Sequence, residues 1–363
     1  MKVLVVFGTR PEAIKMCPVI IELRKRKGIV CKIVLTGQHR EMLDQVMEIF
    51  RLSADYDLDI MSSQQSLENI TCLVIRGLSE VIKEEHPDMI LVHGDTTTSY
   101  AAAVTAFYND ISVGHVEAGL RTGNLREPFP EEFNRQSVDM ISEYMFAPTE
   151  TARKNLISEG KDKTKIYVTG NTVIDALKIT VKETFSDENI QWVSGKKFVL
   201  LTVHRRENWG KPLQKIFEAV KLLAETREDV RIIYPVHKNP KVRECANEML
   251  GHHANIRLIE PLDVFKFHNY MSQCYFVMTD SGGIQEEAPS LGKPVLVLRN
   301  VTERPEGIEA GTLRLVGCDT ESIYKACNEL LDSQELYDAM STASNPYGDG
   351  TASERICNVI CQL

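Results

Sequence analysis

The sequence predicts an α/β protein made of two doubly wound domains, each a parallel sheet covered by helices on both faces. Three observations predict it. Short apolar runs alternate with longer amphipathic segments over nearly the whole chain. The alternation breaks in a polar, irregular stretch around residues 186–197 and then restarts. A chain of 363 residues also suits two domains of ordinary size better than one.

In the first half, residues 3–7, 32–35, 89–92, 113–116, 144–147 and 166–168 read as buried strands. Helical patterns at 13–27, 67–85 and 97–108 lie between them. Continuous apolar strands separated by helices require a parallel sheet shielded on both sides. Residues 198–202, 231–234, 256–259, 275–279 and 294–298 repeat the pattern in the second half. The hinge is expected near Gly170-Asn171-Thr172 or in the segment up to Lys197. A last helix at 351–362 follows the turn-rich Asn345-Pro346-Tyr347-Gly348-Asp349-Gly350. The expected division is therefore 1–171 plus the C-terminal helix 351–363 as one Rossmann-like domain, and 172–350 as a second, nucleotide-binding one. Ligands of such sheets sit at the carboxyl ends of the strands, here in a central cleft that the two sheets face.

Composition narrows the class. Hydrophobic residues make up 43% and charged residues 26%, ordinary for a globular protein. A net charge of −9 argues against bulk attraction to nucleic acid or anionic membrane, and leaves room for a small anion in a local basic cluster. No stretch approaches the roughly 18–20 apolar residues of a membrane span, and the apolar N-terminus is too short for a signal peptide. Nine dispersed cysteines without a C-x-x-C pair fit free thiols in a reducing compartment rather than a metal site. A cytoplasmic location is expected, with no metal.

The chemistry-bearing residues fall at predicted strand ends. Gly8-Thr9-Arg10-Pro11 after the first strand permits a tight turn into a helix, and Arg10 and Lys15 add charge toward a phosphate. An ordinary strand–helix loop explains that turn equally well. Asp95, in His93-Gly94-Asp95-Thr96-Thr97-Thr98, lies where sheet enzymes place reacting groups, but would also serve as a helix N-cap. Glu117 ends another strand ahead of Gly119, and Glu131 and Glu132 open a helix, where they could simply steady its dipole. Three such acidic positions in one half are harder to dismiss than one.

In the second half, His204-Arg205-Arg206 after the first strand is poorly explained as core, although Arg206 could be solvated charge. His204 could donate to a phosphate or move a proton. Ser281-Gly282-Gly283 between a strand and a helix offers backbone donors to a phosphate, and Glu287 one turn later suits ribose hydroxyls. Arg304 adds charge nearby. Gln38-His39-Arg40 and Pro235-Val236-His237-Lys238 complete the polar strand ends, and exposed loop polarity accounts for both. Together these residues describe a site for a doubly negative, ribose-bearing ligand with carboxylates near its other end.

The strings Phe7-Gly8-Thr9-Arg10-Pro11-Glu12-Ala13-Ile14-Lys15, Gly37-Gln38-His39-Arg40-Glu41-Met42-Leu43, His93–Thr98 and Gly114–Gly123 strongly resemble the bacterial non-hydrolysing UDP-N-acetylglucosamine 2-epimerases, as do residues 280–293 and 345–350. The resemblance runs essentially from Met1 to the last helix. It implies a fold like that of the GT-B glycosyltransferases, a homodimer, and a cytoplasmic isomerase that supplies N-acetylmannosamine units for cell-surface polysaccharides. Matching positions place Asp95, Glu117 and Glu131 among the catalytic carboxylates, with His204 counted beside them. Arg10 and Lys15 fall near substrate, while Ser281, Gly282, Gly283, Glu287 and Arg304 match nucleotide contacts and Phe267 a residue near the uracil. Where the family pattern has a Gln shortly before that Phe, this chain has Leu262, so a uracil contact made there by a side chain would be lost. Gln38, His39, Gln65, Arg205 and His237 match a regulatory UDP-N-acetylglucosamine site of some members.

The chemistry expected is reversible inversion at C2 without a cofactor, since no dinucleotide fingerprint is present. UDP leaves first, which makes the C2 hydrogen removable and yields 2-acetamidoglucal; UDP then adds back after protonation on the other face. Two alternatives share the nucleotide site. A hydrolysing epimerase would release N-acetylmannosamine and UDP, and a GT-B glycosyltransferase would need an acceptor.

Overall fold

The computed structural model describes residues 1–37, 40–60 and 66–363, with backbone alone at 40–42. The chain forms two compact units, residues 1–179 with 347–363, and residues 180–346.

The first unit runs β1 (Lys2–Phe7), α1 (Arg10–Lys25), β2 (Val30–Leu35), α2 (Arg40–Ile49), β3 (Tyr56–Asp57), α3 (Leu67–Glu85), β4 (Met89–His93) and α4 (Thr97–Tyr108). It continues through β5 (Ser112–Val116), α5 (Glu131–Ile141), β6 (Tyr144–Ala147), α6 (Glu150–Ser158) and β7 (Ile166–Val168) to α7 (Thr172–Thr180), which leads into the second unit. Among the described residues its sheet has seven parallel strands in the order β3-β2-β1-β4-β5-β6-β7. Val3 to Phe7 are wholly buried. At roughly 1.5–3 kcal/mol for each large apolar side chain withdrawn from water, β1 is a main source of cohesion.

The second unit holds α8 (Glu188–Val193), β8 (Lys197–Thr202), α9 (Lys211–Thr226), β9 (Val230–Pro235), α10 (Pro240–Leu250), β10 (Ile256–Ile259), α11 (Val264–Gln273) and β11 (Phe276–Thr279). After these come α12 (Gly282–Ser290), β12 (Val295–Val297), α13 (Pro305–Glu309), β13 (Leu313–Leu315), α14 (Thr320–Asp332) and α15 (Gln334–Thr342). Its parallel sheet is ordered β10-β9-β8-β11-β12-β13. The last helix, α16 (Ala352–Ile360), returns to pack against α1 of the first unit. Asp175 of α7 fixes its start by accepting from Ala352 N at 3.2 Å and Ser353 N at 2.8 Å.

The doubly wound α/β class predicted from the alternation is the one observed. The stretch read as irregular contains α8, whose N-cap Asp187 accepts from Asn189 N at 3.0 Å and Ile190 N at 2.9 Å. Two sheet-edge strands, β3 and β13, escape the pattern because Tyr56-Asp57 and Leu313-Arg314-Leu315 are short and each holds a charged residue, so neither shows an apolar run.

The strand orders also locate the chemistry. Each sheet reverses its winding once, between β1 and β4 in the first unit and between β8 and β11 in the second. Connections depart to opposite faces there, leaving a crevice beyond the strand ends, where ligands of such sheets bind.

Candidate active site

In the first unit, the turns after β1, β4 and β5 meet at the switch point. Glu12 is 1% exposed and ties two of them. Its Oε2 accepts from Gly8 N at 3.1 Å and Thr9 N at 2.8 Å, while Oε1 accepts from Thr96 Oγ1 at 2.7 Å and Ser99 Oγ at 3.0 Å. Arg10 is thereby placed at the start of α1, and Lys15 lies one turn on.

Glu117 follows β5 with φ +71°, a left-handed conformation that is costly for any residue with a Cβ and is retained only where surroundings enforce it. Its carboxylate is ion-paired with Lys15, lies 3.4 Å from His93 Nε2, and accepts from Asn171 Nδ2 at 3.3 Å. Burial pushes this carboxyl up, but Lys15 and His93 more than reverse that and hold it well below the usual carboxylate range. Glu117 is therefore an anion at neutral pH.

Behind Glu117 stands a buried clamp. His115 and Asp139 are both fully buried, and their Nδ1 and Oδ1 are 2.6 Å apart. His115 Nε2 reaches Gly94 O at 2.8 Å, in the turn that carries Asp95. Asp139 Oδ2 accepts from Gly119 N at 3.1 Å and pairs with Arg121 at 2.8 Å. Asp139 of α5 thus holds the turns on either side of Glu117 in register.

Asp95 is not the N-cap of α4. Thr96 takes that role, accepting from Ser99 N at 3.0 Å. This frees the Asp95 carboxylate, which is one-quarter exposed and ion-paired with Arg135. Glu131 and Glu132 also separate. Glu132 is fully buried and accepts from Thr122 N at 3.1 Å and Gly123 N at 3.2 Å, a structural task, whereas Glu131 is the half-buried first residue of α5.

In the second unit, Asp280 at the end of β11 is fully buried and accepts from His204 N at 3.0 Å, Arg205 N at 2.9 Å and Asn208 Nδ2 at 2.9 Å. It fixes the turn after β8. The His204 ring stacks on His237, with centroids 5.6 Å apart and planes at 16°. Burial lowers the proton affinity of His204, Asp280 raises it, and His237 and Arg205 lower it; the net shift is downward, which favours a neutral imidazole.

α12 begins at Gly282, with Ser281 as N-cap. A Cβ at Gly282 would lie 3.4 Å from an Arg205 guanidinium nitrogen and 3.9 Å from one of Arg304. Two guanidinium groups over a helix start with no side chain between them form a cradle for an anion. Arg304 is ion-paired with Glu286, and Glu287 Oε2 lies 3.5 Å from His268 Nε2. Phe267 and Leu262 are half-buried at and before α11.

A family model described as UDP-N-acetylglucosamine 2-epimerase matches residues 21–361. The chain belongs to the UDP-N-acetylglucosamine 2-epimerase family. It is 53% identical to the UDP-N-acetylglucosamine 2-epimerase of Bacillus subtilis, over 98% of this chain and 94% of that one. Two solved structures are similar throughout. The S. aureus MnaA–UDP co-structure shares 52% identity with a TM-score of 0.90, covering 99% of this chain and 95% of that one. The Neisseria meningitidis UDP-GlcNAc 2-epimerase bound to UDP-GlcNAc shares 47% identity, also with a TM-score of 0.90, and both chains are covered completely.

Of the residues singled out from sequence in this member of the family, the first unit brings Lys15 against Glu117 and sets Asp95 on Arg135. The second brings Arg205 and Arg304 to the Gly282 turn and His204 to His237. Gln38, His39 and Gln65 lie outside the described residues. His93, Arg135, Asn171, Asp139 and Asp280 were not singled out. The T-x-x-E spacing of Thr9 and Glu12 is a capping-box signature that foreshadows the role of Glu12; the others carry no local signal.

Proposed function

We propose that the protein interconverts UDP-N-acetylglucosamine and UDP-N-acetylmannosamine by eliminating UDP to 2-acetamidoglucal and adding it back. Family membership over nearly the full chain supports this. The observation that carries it is the Lys15–Glu117–His93 cluster: a buried, ionised carboxylate beyond a strand end, in an enforced backbone conformation. Removing hydrogen from the carbon of the sugar needs such a base.

In the forward direction the C1–O bond breaks and its electron pair leaves with UDP. The C2–H pair becomes the C1–C2 double bond, and the proton goes to a carboxylate. The reverse step on the opposite face protonates C2 from a second carboxylate while UDP returns to C1. Asp95, Glu117 and Glu131 are the proton-transfer groups of this reading. Arg10, Lys15, His204 and the Ser281–Gly283 turn with Arg304 stabilise the departing diphosphate, Glu287 holds ribose hydroxyls, and Phe267 lies by the uracil. In this reading the first unit supplies the carboxylates and the second the nucleotide site.

Regulation by a second UDP-N-acetylglucosamine, through Gln38, His39, Gln65, Arg205 and His237, belongs to the same reading. So do a homodimer, a cytoplasmic location and a role in polysaccharide synthesis. Exposed Leu73 of α3, Phe107 and Tyr108 of α4, and Phe133 and Met140 of α5 offer apolar surface for a second copy to cover. Among the described residues no helix is long and apolar enough to cross a membrane.

Product analysis by anion-exchange chromatography tests the reaction. UDP-N-acetylmannosamine formed from UDP-N-acetylglucosamine without an acceptor is the expected result. Free N-acetylmannosamine with UDP would move the chain to the hydrolysing class, and dependence on an acceptor would make it a transferase.

A further inference from the structure

His93 closes β4, and the epimerase reading so far gives its ring only a share in keeping Glu117 ionised. The residue is 5% exposed, and its Nε2 is buried without a hydrogen bond among the described residues, 3.4 Å from Glu117 Oε2. An unpaired buried polar atom costs about 1–3 kcal/mol, so its retention calls for an explanation. The surroundings supply one. Oε2 also faces Lys15 and Asn171, so three side chains from α1, β4 and the turn after β7 converge on a single oxygen. Oε1 lies on the side of Gly94, where even an added Cβ would stay 3.8 Å away, and no side chain grows from that position to cover it.

A base that removes hydrogen from carbon must present one oxygen to the substrate while the other is held. Lys15 is a poor permanent holder. It is a flexible point charge, and the diphosphate of the substrate competes for it. His93 is fixed on a buried strand, and among the described residues its Nε2 has no other partner to turn to. Resting on the epimerase reading above, we propose that His93 is a positioning residue that acts through Glu117, its Nε2–H securing Oε2 so that Oε1 meets the hydrogen on C2. The ionised state of Glu117 agrees with this, since Lys15 and His93 both favour the carboxylate. The charged and titratable groups described against it are Lys15 from α1 and His93 from β4; Asn171 is neutral.

The test compares wild-type enzyme with His93→Phe, His93→Gln and His93→Asn, using UDP-N-acetylglucosamine as substrate. The Phe variant keeps the ring and loses the N–H. Its kcat should fall on the order of 100-fold with KM close to wild type, and the acid limb of its kcat/KM profile should move to higher pH. The Gln variant places an amide N–H where Nε2 lies and should recover most of the loss. The Asn variant, whose nitrogen falls at the Nδ1 position, should not. Wild-type kcat in the Phe variant, or equal activity of the Gln and Asn variants, overturns the proposal. Should the Phe variant fail to fold, the Gln–Asn comparison decides alone. Absence of UDP-N-acetylmannosamine from the wild-type reaction would instead overturn the functional reading, and this inference with it.

Discussion

Replacing Asp139 by Ala should be among the most damaging single changes in the first unit, although the residue touches no ligand in the proposed reaction. Its carboxylate is fully buried and meets His115 Nδ1 at 2.6 Å, Arg121 at 2.8 Å and Gly119 N at 3.1 Å. Removing one partner of a buried, hydrogen-bonded charge network costs about 3–5 kcal/mol, because the remaining groups stay desolvated and unpaired. Arg121 also has Glu159, at 2.6 Å, so the loss falls mainly on His115 and the Gly119 turn. Asp139→Asn keeps an acceptor for Gly119 N and should cost less than Ala.

The pH dependence follows from the shift. Burial raises the proton affinity of Asp139, but His115 and Arg121 lower it further, and the net shift is downward. The folded state therefore binds this proton more weakly than the unfolded state. The stabilisation is complete above the unfolded value of about 3.9 and is lost as pH falls through the folded one. Urea unfolding followed by circular dichroism, at pH 7 and at steps down to pH 3, measures both effects. A cost to the Ala variant below about 1 kcal/mol at pH 7, or a wild-type–variant gap that widens with acid, would refute the reasoning.

Three further outcomes are expected. Asp95→Asn should abolish turnover while UDP affinity, measured by calorimetry, stays within about tenfold, or about 1.4 kcal/mol; wild-type turnover would remove Asp95 from the chemistry. Lys15→Met removes the largest charge holding Glu117 ionised, so the acid limb of the kcat/KM profile should move to higher pH, and an unmoved limb would show that Glu117 is not the group titrating there. Gly119→Ala should destabilise by more than about 2 kcal/mol, since φ is +86° and the new Cβ would run into the backbone carbonyl of Ala152; a smaller loss in melting experiments would show that the α6 segment gives way.

The fold was legible wherever a strand was long and wholly buried. Val3 to Phe7 and Met89 to Val92 are continuous apolar runs because helices cover both faces of the sheet. The edge strands β3 and β13 were not legible, being short and interrupted by Asp57 and Arg314, whereas the similarly short but uncharged β7 was. The strand-end carboxylates could be listed from the sequence but not sorted. Asp95 and Thr96 are both good N-caps on paper, and only the structure shows that Thr96 caps α4 and leaves Asp95 to Arg135. Glu131 and Glu132 are adjacent and chemically equivalent until burial separates them. His93 and Asp139 were missed for a plainer reason. A histidine ending an apolar strand and an aspartate inside an amphipathic helix look like ordinary residues, and the partners Glu117 and His115 each lie 24 positions away.

The proposed reaction cleaves the C2–H bond and then returns the sugar to UDP. Purified protein incubated with UDP-N-acetylglucosamine in deuterated water, followed by proton NMR at C1 and C2, examines both points together. Appearance of UDP-N-acetylmannosamine with deuterium at C2 in both epimers is the predicted result. Epimerisation with the C2 proton retained, or no change with substrate in excess, would contradict it.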